Sequence, residues 1–186
     1  MIGYAFCGSF CSFKESLVQF SSLIESGYEV VPIISENAYS TDTRFFKASE
    51  FIAEVEAMAK RKAVHTICEA EKFGKNRLDS LIICPCTGNT LAKIANGITD
   101  TAVTMAAKAH LRCDGRLLIA LASNDAMSQN LKNIASLLTR RSVFFLPMKQ
   151  DSPSEKPHSL VADFPLLKSA VEAMDKGIQL RPIFLY

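Results

Sequence analysis

No apolar run in this sequence approaches the ~20 residues that span a bilayer. The N-terminus has no basic flank ahead of its apolar residues, and no signal-cleavage pattern follows. The expectation is a cytoplasmic chain with no membrane role. An excess of one charge is also missing: 21 basic and 19 acidic residues leave +2. That argues against nucleic acid or an anionic membrane as the main partner. The cysteines (Cys7, Cys11, Cys68, Cys84, Cys86 and Cys113) contain no Cys-x-x-Cys pair. Zinc and thioredoxin patterns are thereby excluded, and no metal is expected. An unpatterned set suits a reducing compartment. The dinucleotide fingerprint G-x-G-x-x-G is absent, which disfavours a Rossmann NAD site. No repeat, low-complexity tract or linker divides the 186 residues, so one domain over 1–186 is expected. A chain of this length buries roughly 70% of its unfolded surface and needs no disulfide or metal to hold a core.

What is present centres on Leu81–Thr104, LIICPCTGNTLAKIANGITDTAVT. Leu81–Cys84 is wholly apolar and reads as a strand buried on both faces. Pro85 lacks an N–H and is expected to end its ladder. Thr87-Gly88-Asn89-Thr90 makes the turn, and Leu91, Ile94, Ala95 and Ile98 form one helix face. Gly97 stops that helix. Thr99 or Asp100 is expected to cap a second, Ala102–Leu111. A helix start offers free N–H groups and the positive end of a dipole, suited to an anion or the polar edge of a ring. An ordinary βα turn reads the same way.

The pattern recurs along the chain. Ile2–Cys7 is a strand, Gly8–Ser12 a turn, Phe13–Ser26 a helix and Tyr28–Ile34 the next strand, a right-handed βαβ unit. Gly8-Ser9 at a helix start suits a phosphate, or simple capping. Ser35–Lys47 is a polar loop and Ser49–Lys62 a helix. Arg116–Ala122 is a strand, Ser123-Asn124-Asp125 a turn, and Ala126–Thr139 a helix with Met127, Leu131, Ile134, Leu137 and Leu138 facing inward. Ser142–Leu146 is a further strand, Gln150–His158 an exposed loop, and Asp163–Lys176 an amphipathic helix stopped by Gly177. Ile178–Tyr186 reads as an apolar strand or tail, expected to pack on a neighbour. The fold class is α/β, a three-layer domain with a parallel β-sheet flanked by helices. In such a sheet the turns at Gly8, Thr87 and Ser123 share the carboxyl edge, where ligands bind. Cys7 and Cys84 read as core thiols, while Cys11 and Cys86 lie at junctions that can face a ligand. Lys93, Arg112, Arg140 and Lys149 are cations able to pair with a carboxylate.

Pro85–Gly97, PCTGNTLAKIANG, resembles the P-x-S-A-N-T-x-A-K-I-A-N-G signature of the flavoproteins that include the flavin-containing cysteine decarboxylases. The resemblance implies a Rossmann-like fold, bound FMN and a homo-oligomer, commonly a trimer or a multiple of trimers. The family's G-S-x-A-x-x-K turn is matched by Gly8, Ser9 and Lys14, with Cys11 in place of alanine, which implies a phosphate site. By the same resemblance Ser35 and Asn37 lie near the flavin, and Thr87, Gly88, Asn89, Thr90 and Ser123 hold the cofactor. His65 aligns with an active-site histidine, with extra residues between it and the signature, and implies proton transfer or carboxylate orientation. Ala122, Asn124 and Met127 keep the order of the family's P-A-M-N-x-x-M-W segment, implying a substrate contact at Asn124. Leu121, Ser123 and Ser128 depart from that segment, and no cysteine follows Cys113. A substrate other than a peptidyl cysteine is therefore expected. The leading reading is an oxidoreductase component that acts on a small ring dicarboxylate together with a nucleotide-binding partner. A decarboxylase of a thiol-bearing acid and a non-catalytic partner protein stand as alternatives.

Overall fold

The computed structural model describes residues 1–185. Its frame is one seven-stranded sheet. Strands β1 (Ile2–Phe6), β2 (Val30–Ile34), β3 (Ser80–Cys86), β4 (Arg116–Ser123) and β5 (Val143–Phe145) run parallel in the order 2-1-3-4-5. β1, β2 and β3 are buried along their whole length, which is why they read as unbroken apolar runs. Two short strands, β6 (Met148–Lys149) and β7 (Leu160–Ala162), turn the sheet mixed. β7 pairs antiparallel with Ala122 and Ser123 at the end of β4, and β6 pairs antiparallel with β7. The sheet is thus parallel through five strands and antiparallel at one corner.

Alternate side chains build the two faces. On one face Tyr4 and Phe6 of β1 meet Phe13, Phe20 and Phe51. These rings come from α1 (Phe13–Glu25) and α3 (Ala48–Ala59), and α8 (Leu167–Asp175) covers the rest. On the other face Ala5, Ile33, Leu81, Ile83, Ile119 and Leu121 meet α4 (Ile67–Glu71), α5 (Gly88–Ala95), α6 (Ala102–Leu111) and α7 (Leu131–Leu138). Gly27, Gly97 and Gly177 follow their helices at positive φ, the conformation glycine adopts without strain.

Several boundaries differ from expectation. Pro85 does not end β3: the strand runs on to Cys86, and the register against β4 slips between Ile83 and Cys86. A bulge is where a sheet tolerates proline, because the missing N–H is not needed there. The cap of α6 is Thr101, in reciprocal bonds with Thr104 (3.2 and 3.1 Å), while Asp100 pairs with Lys93. The segment after Ser35 contains a short helix, α2 (Glu36–Ser40). α7 begins at Leu131 and not at Ala126, because Asp125 O accepts the N–H groups of Ser128 and Asn130 in turns. Met127 and Leu131 are exposed as a result. The tail pairs within the chain, through Met148 with Ile183 and Leu185, and Tyr186 lies outside the described residues.

Candidate functional site

The strand order reverses direction between β1 and β3, since β1 leads to β2 on one side and β3 lies on the other. Such a switch point opens a crevice at the carboxyl ends of the strands. A cleft of about 640 Å³ lies there, bounded by Gly8–Ser12, Thr87, Ala122–Asn124, Arg44, Phe45 and the segment from Asp151 to Val161. A second hollow of about 300 Å³ shares Gly8 and Thr87 with it and adds Ser35, Asn37, Asn89, Thr90 and Lys93. Both volumes fall in the range of small-ligand sites, about 300–1,000 Å³. The two hollows adjoin at Gly8 and Thr87.

Helix capping builds the polar lining. Thr87 caps α5, its hydroxyl accepting from Thr90 N at 3.2 Å and donating to Thr90 Oγ1 at 3.1 Å. Ser35 caps α2 by accepting from Ala38 N at 3.4 Å. Ser9 Oγ lies 3.3 Å from Ser12 Oγ just ahead of α1. The first N–H groups of α5 have no partner inside the helix, and its first turn, with Asn89 and Thr90, lines the smaller hollow. Hydroxyls, amides and free N–H groups fit a phosphate-tailed, planar cofactor such as FMN, which needs donors along its tail and an open slot for its ring.

A second polar group sits behind the cleft. Ser123 Oγ donates to Asp125 Oδ1, and Asn130 Nδ2 donates to both Asp125 oxygens at 2.9 Å. Asn133 donates to Asn130 (2.8 Å), and Asn96, at the end of α5, donates to Asn133 (3.3 Å). The Ser123 hydroxyl holds the Asp125 carboxyl below the usual range, with Asn130 adding to the effect. With its proton committed to Asp125, Ser123 turns only lone pairs toward a ligand. Gly88 packs against this group: a methyl there would stand 2.7 Å from Asn130 Nδ2 and from Asp125 Oδ1.

Gly8, Ser9, Thr87, Ser123 and Asn124 therefore meet on the larger cleft, and Ser35, Asn89 and Thr90 on the smaller hollow. Lys14, Gly88 and His65, expected at the cofactor or the reacting centre, line neither. Lys14 is exposed on α1. Gly88 is buried and serves close packing. His65 follows Val64, which bridges to Ile33 at the sheet's outer side. Its ring stacks on Tyr39 at 3.9 Å and 4°, and its Nδ1 is buried without a hydrogen bond, 3.7 Å from Glu69 Oε2. Of the junction cysteines, Cys11 lies on the cleft while Cys86 is wholly buried. Burial pushes the Cys7 thiol up to about 11 and the Cys84 thiol to about 12, so both are inert. Asp125, Asn130 and Arg44 were missed by sequence reasoning. The only trace of the first two is the polar spacing from Ser123 to Asn133.

The family model described as Flavoprotein matches residues 2–169. The chain is 37% identical over 185 residues to the B subunit of dipicolinate synthase from Bacillus subtilis (strain 168), an alignment covering 99% of this chain and 92% of that one. The crystal structure of the corresponding B subunit from Bacillus halodurans is similar at a TM-score of 0.91 and 36% identity, covering 100% of this chain and 95% of that one. An FMN-dependent cysteine decarboxylase is similar at a TM-score of 0.70 and 20% identity over 95% of each chain, a likeness of fold alone.

Proposed function

This chain belongs to the flavoprotein family, and we propose that it is the flavoprotein-type subunit of a dipicolinate synthase, with a role in sporulation. Its reaction would be the oxidation of a dihydrodipicolinate ring to pyridine-2,6-dicarboxylate. The observation that carries this reading is the 37% identity to a protein of that name along 99% of the chain. Aromatisation of the ring supplies driving force. FMN, when bound, supplies the hydride acceptor. The chain's own residues bind and orient. Gly8 and Ser9 would take the phosphate, with Ser35 beside them and Lys14 adding positive charge from α1. Thr87, Asn89 and Thr90 would hold the ribityl chain or ring edge, while Gly88 keeps their turn pressed against β4. Ser123 would accept a hydrogen bond from the ring. Asn124 would present its amide to a substrate carboxylate. His65 would hold or move a proton, for its own cleft or for that of a neighbouring copy.

The partner implied is the A subunit of dipicolinate synthase, and the chain itself would form homo-oligomers in the cytoplasm of the mother cell. The test has two parts. The purified chain should take up FMN and show flavin bands, and Asn89→Asp should weaken that uptake about tenfold by placing negative charge where a donor stood. Oxidation of the dihydro ring should then require the chain, with the A subunit present or absent as the variable. A colourless protein that refuses added FMN sinks the cofactor assignment. Unchanged FMN affinity in Asn89→Asp sinks the pocket assignment.

A further inference from the structure

Resting on that reading, we propose that Arg44 is the specificity-determining residue that takes a carboxylate of a planar anionic ring. Phe45 and Phe10 supply the apolar wall beside it. All three line the larger cleft, as do Ser123 and Asn124. The segment carrying Arg44 is anchored on both sides. Asp42 Oδ1 accepts from Ala48 N at 2.8 Å, and Thr43 N donates to Phe46 O at 2.9 Å. Phe46 packs on Phe13 and Phe51, with centroids 5.9 and 5.8 Å apart. The half-buried Phe46, packed against the core, thus pins the loop while its neighbours Arg44 and Phe45 stand out over the cleft. The Arg44 guanidinium lies 4.8 Å from the Phe45 ring centroid. Stacking on a ring covers the face of a guanidinium and leaves its N–H edge open, the edge that matches a carboxylate.

The charge balance of the cleft gives the direction. Lys156 and Asp151 pair at 3.0 Å and cancel. Asp125 stays ionised, but it is held behind the cleft by Ser123 and Asn130 and does not line it. Among the described residues no carboxylate lies within ion-pairing distance of Arg44, so the cleft presents one uncompensated cation. The cations singled out from the sequence are placed otherwise. Lys93 pairs with Asp100 at 2.9 Å and Lys149 with Asp163 at 3.0 Å. Arg112 and Arg140 line a separate groove beside α6. A monoanion or dianion with a flat ring fits an aromatic wall and one fork of donors, and a neutral ring gains only the wall.

The experiment titrates pyridine-2,6-dicarboxylate and its uncharged analogue pyridine-2,6-dimethanol into the FMN-saturated full chain by calorimetry. Wild type, Arg44→Gln and Arg44→Lys are compared, and FMN affinity is measured for each. Arg44→Gln should weaken dicarboxylate binding about tenfold or more, the loss of a charge-assisted bond. Arg44→Lys should recover part of it, and both variants should bind the dimethanol and FMN as wild type does. Equal dicarboxylate affinity in Arg44→Gln overturns the proposal. So does an absence of dicarboxylate binding by wild type, with or without FMN. A variant that loses FMN while keeping the dicarboxylate moves Arg44 to the cofactor, which also overturns it. Arg44-dependent binding in a protein that does not oxidise the dihydro ring supports the carboxylate site and sinks the assigned reaction, so the two fail separately.

Discussion

A methyl group on Gly88 would stand 2.7 Å from Asp125 Oδ1, so the turns after β3 and β4 are locked face to face. Gly88→Ala must push Asp125, Asn130 or Ser123 aside. Overpacking of this kind costs about 2 kcal/mol. Urea denaturation of the variant should reveal that loss, and FMN titration should show weaker binding as Thr87 shifts. Full stability in the variant would mean that the turns yield freely.

Asp125→Asn replaces an acceptor of three donated bonds with a group that is itself partly a donor. The expected cost is about 1–3 kcal/mol at neutral pH. Because the folded carboxyl titrates below its ordinary value, its contribution is present above the unfolded pKa of about 4 and fades as pH falls through the lower folded value. The stability gap between wild type and variant should therefore be flat above about pH 5 and narrow below about pH 4. A gap that widened in acid would contradict the assignment.

Iodoacetamide on the native protein should modify Cys11 and Cys68, which are exposed, and spare Cys7, Cys84 and Cys86, which are buried with raised thiols. Since Cys11 lines the cleft, saturating FMN should protect it and leave Cys68 reactive. Peptide mapping by mass spectrometry reads both outcomes. Equal labelling of Cys11 with and without FMN would place the flavin elsewhere.

His65 stacks on Tyr39 and keeps an unsatisfied Nδ1, a ring held in orientation without being spent on a structural bond. His65→Asn should lower turnover about a hundredfold if the ring moves a proton. Thermal stability should change little. A variant that unfolds instead would mark the stack with Tyr39 as its purpose.

The sheet's parallel strands, the two helices flanking Gly97 and the glycine stops were legible because each rests on local signals: apolar runs, period, positive φ. The boundaries of α6 were read correctly while its cap was not, since Thr99, Asp100 and Thr101 are all good caps and only the reciprocal bonds of Thr101 with Thr104 decide among them. The early start expected for α7 followed a real apolar period that the turns closed on Asp125 O override, with the Asn130 side chain bonded to the Asp125 carboxylate beside them. β6 and β7 span two and three residues, too short for any period to register. At the cleft, the turns carrying Ser9, Thr87 and Ser123 could be found because they follow strands. Arg44 could not, because its place depends on Phe46 packing against a core formed by residues distant in the chain.

The bonds that Met148 exchanges with Ile183 and Leu185 have a consequence for solubility. β6 is the outermost strand on its side of the sheet, and the returning tail occupies its free amide and carbonyl. A bare border of this kind is a template for another chain. Clipping the chain ahead of Ile183 would therefore do more than remove three described residues: it would unhem the sheet and offer Met148 to other molecules for stacking into aggregates.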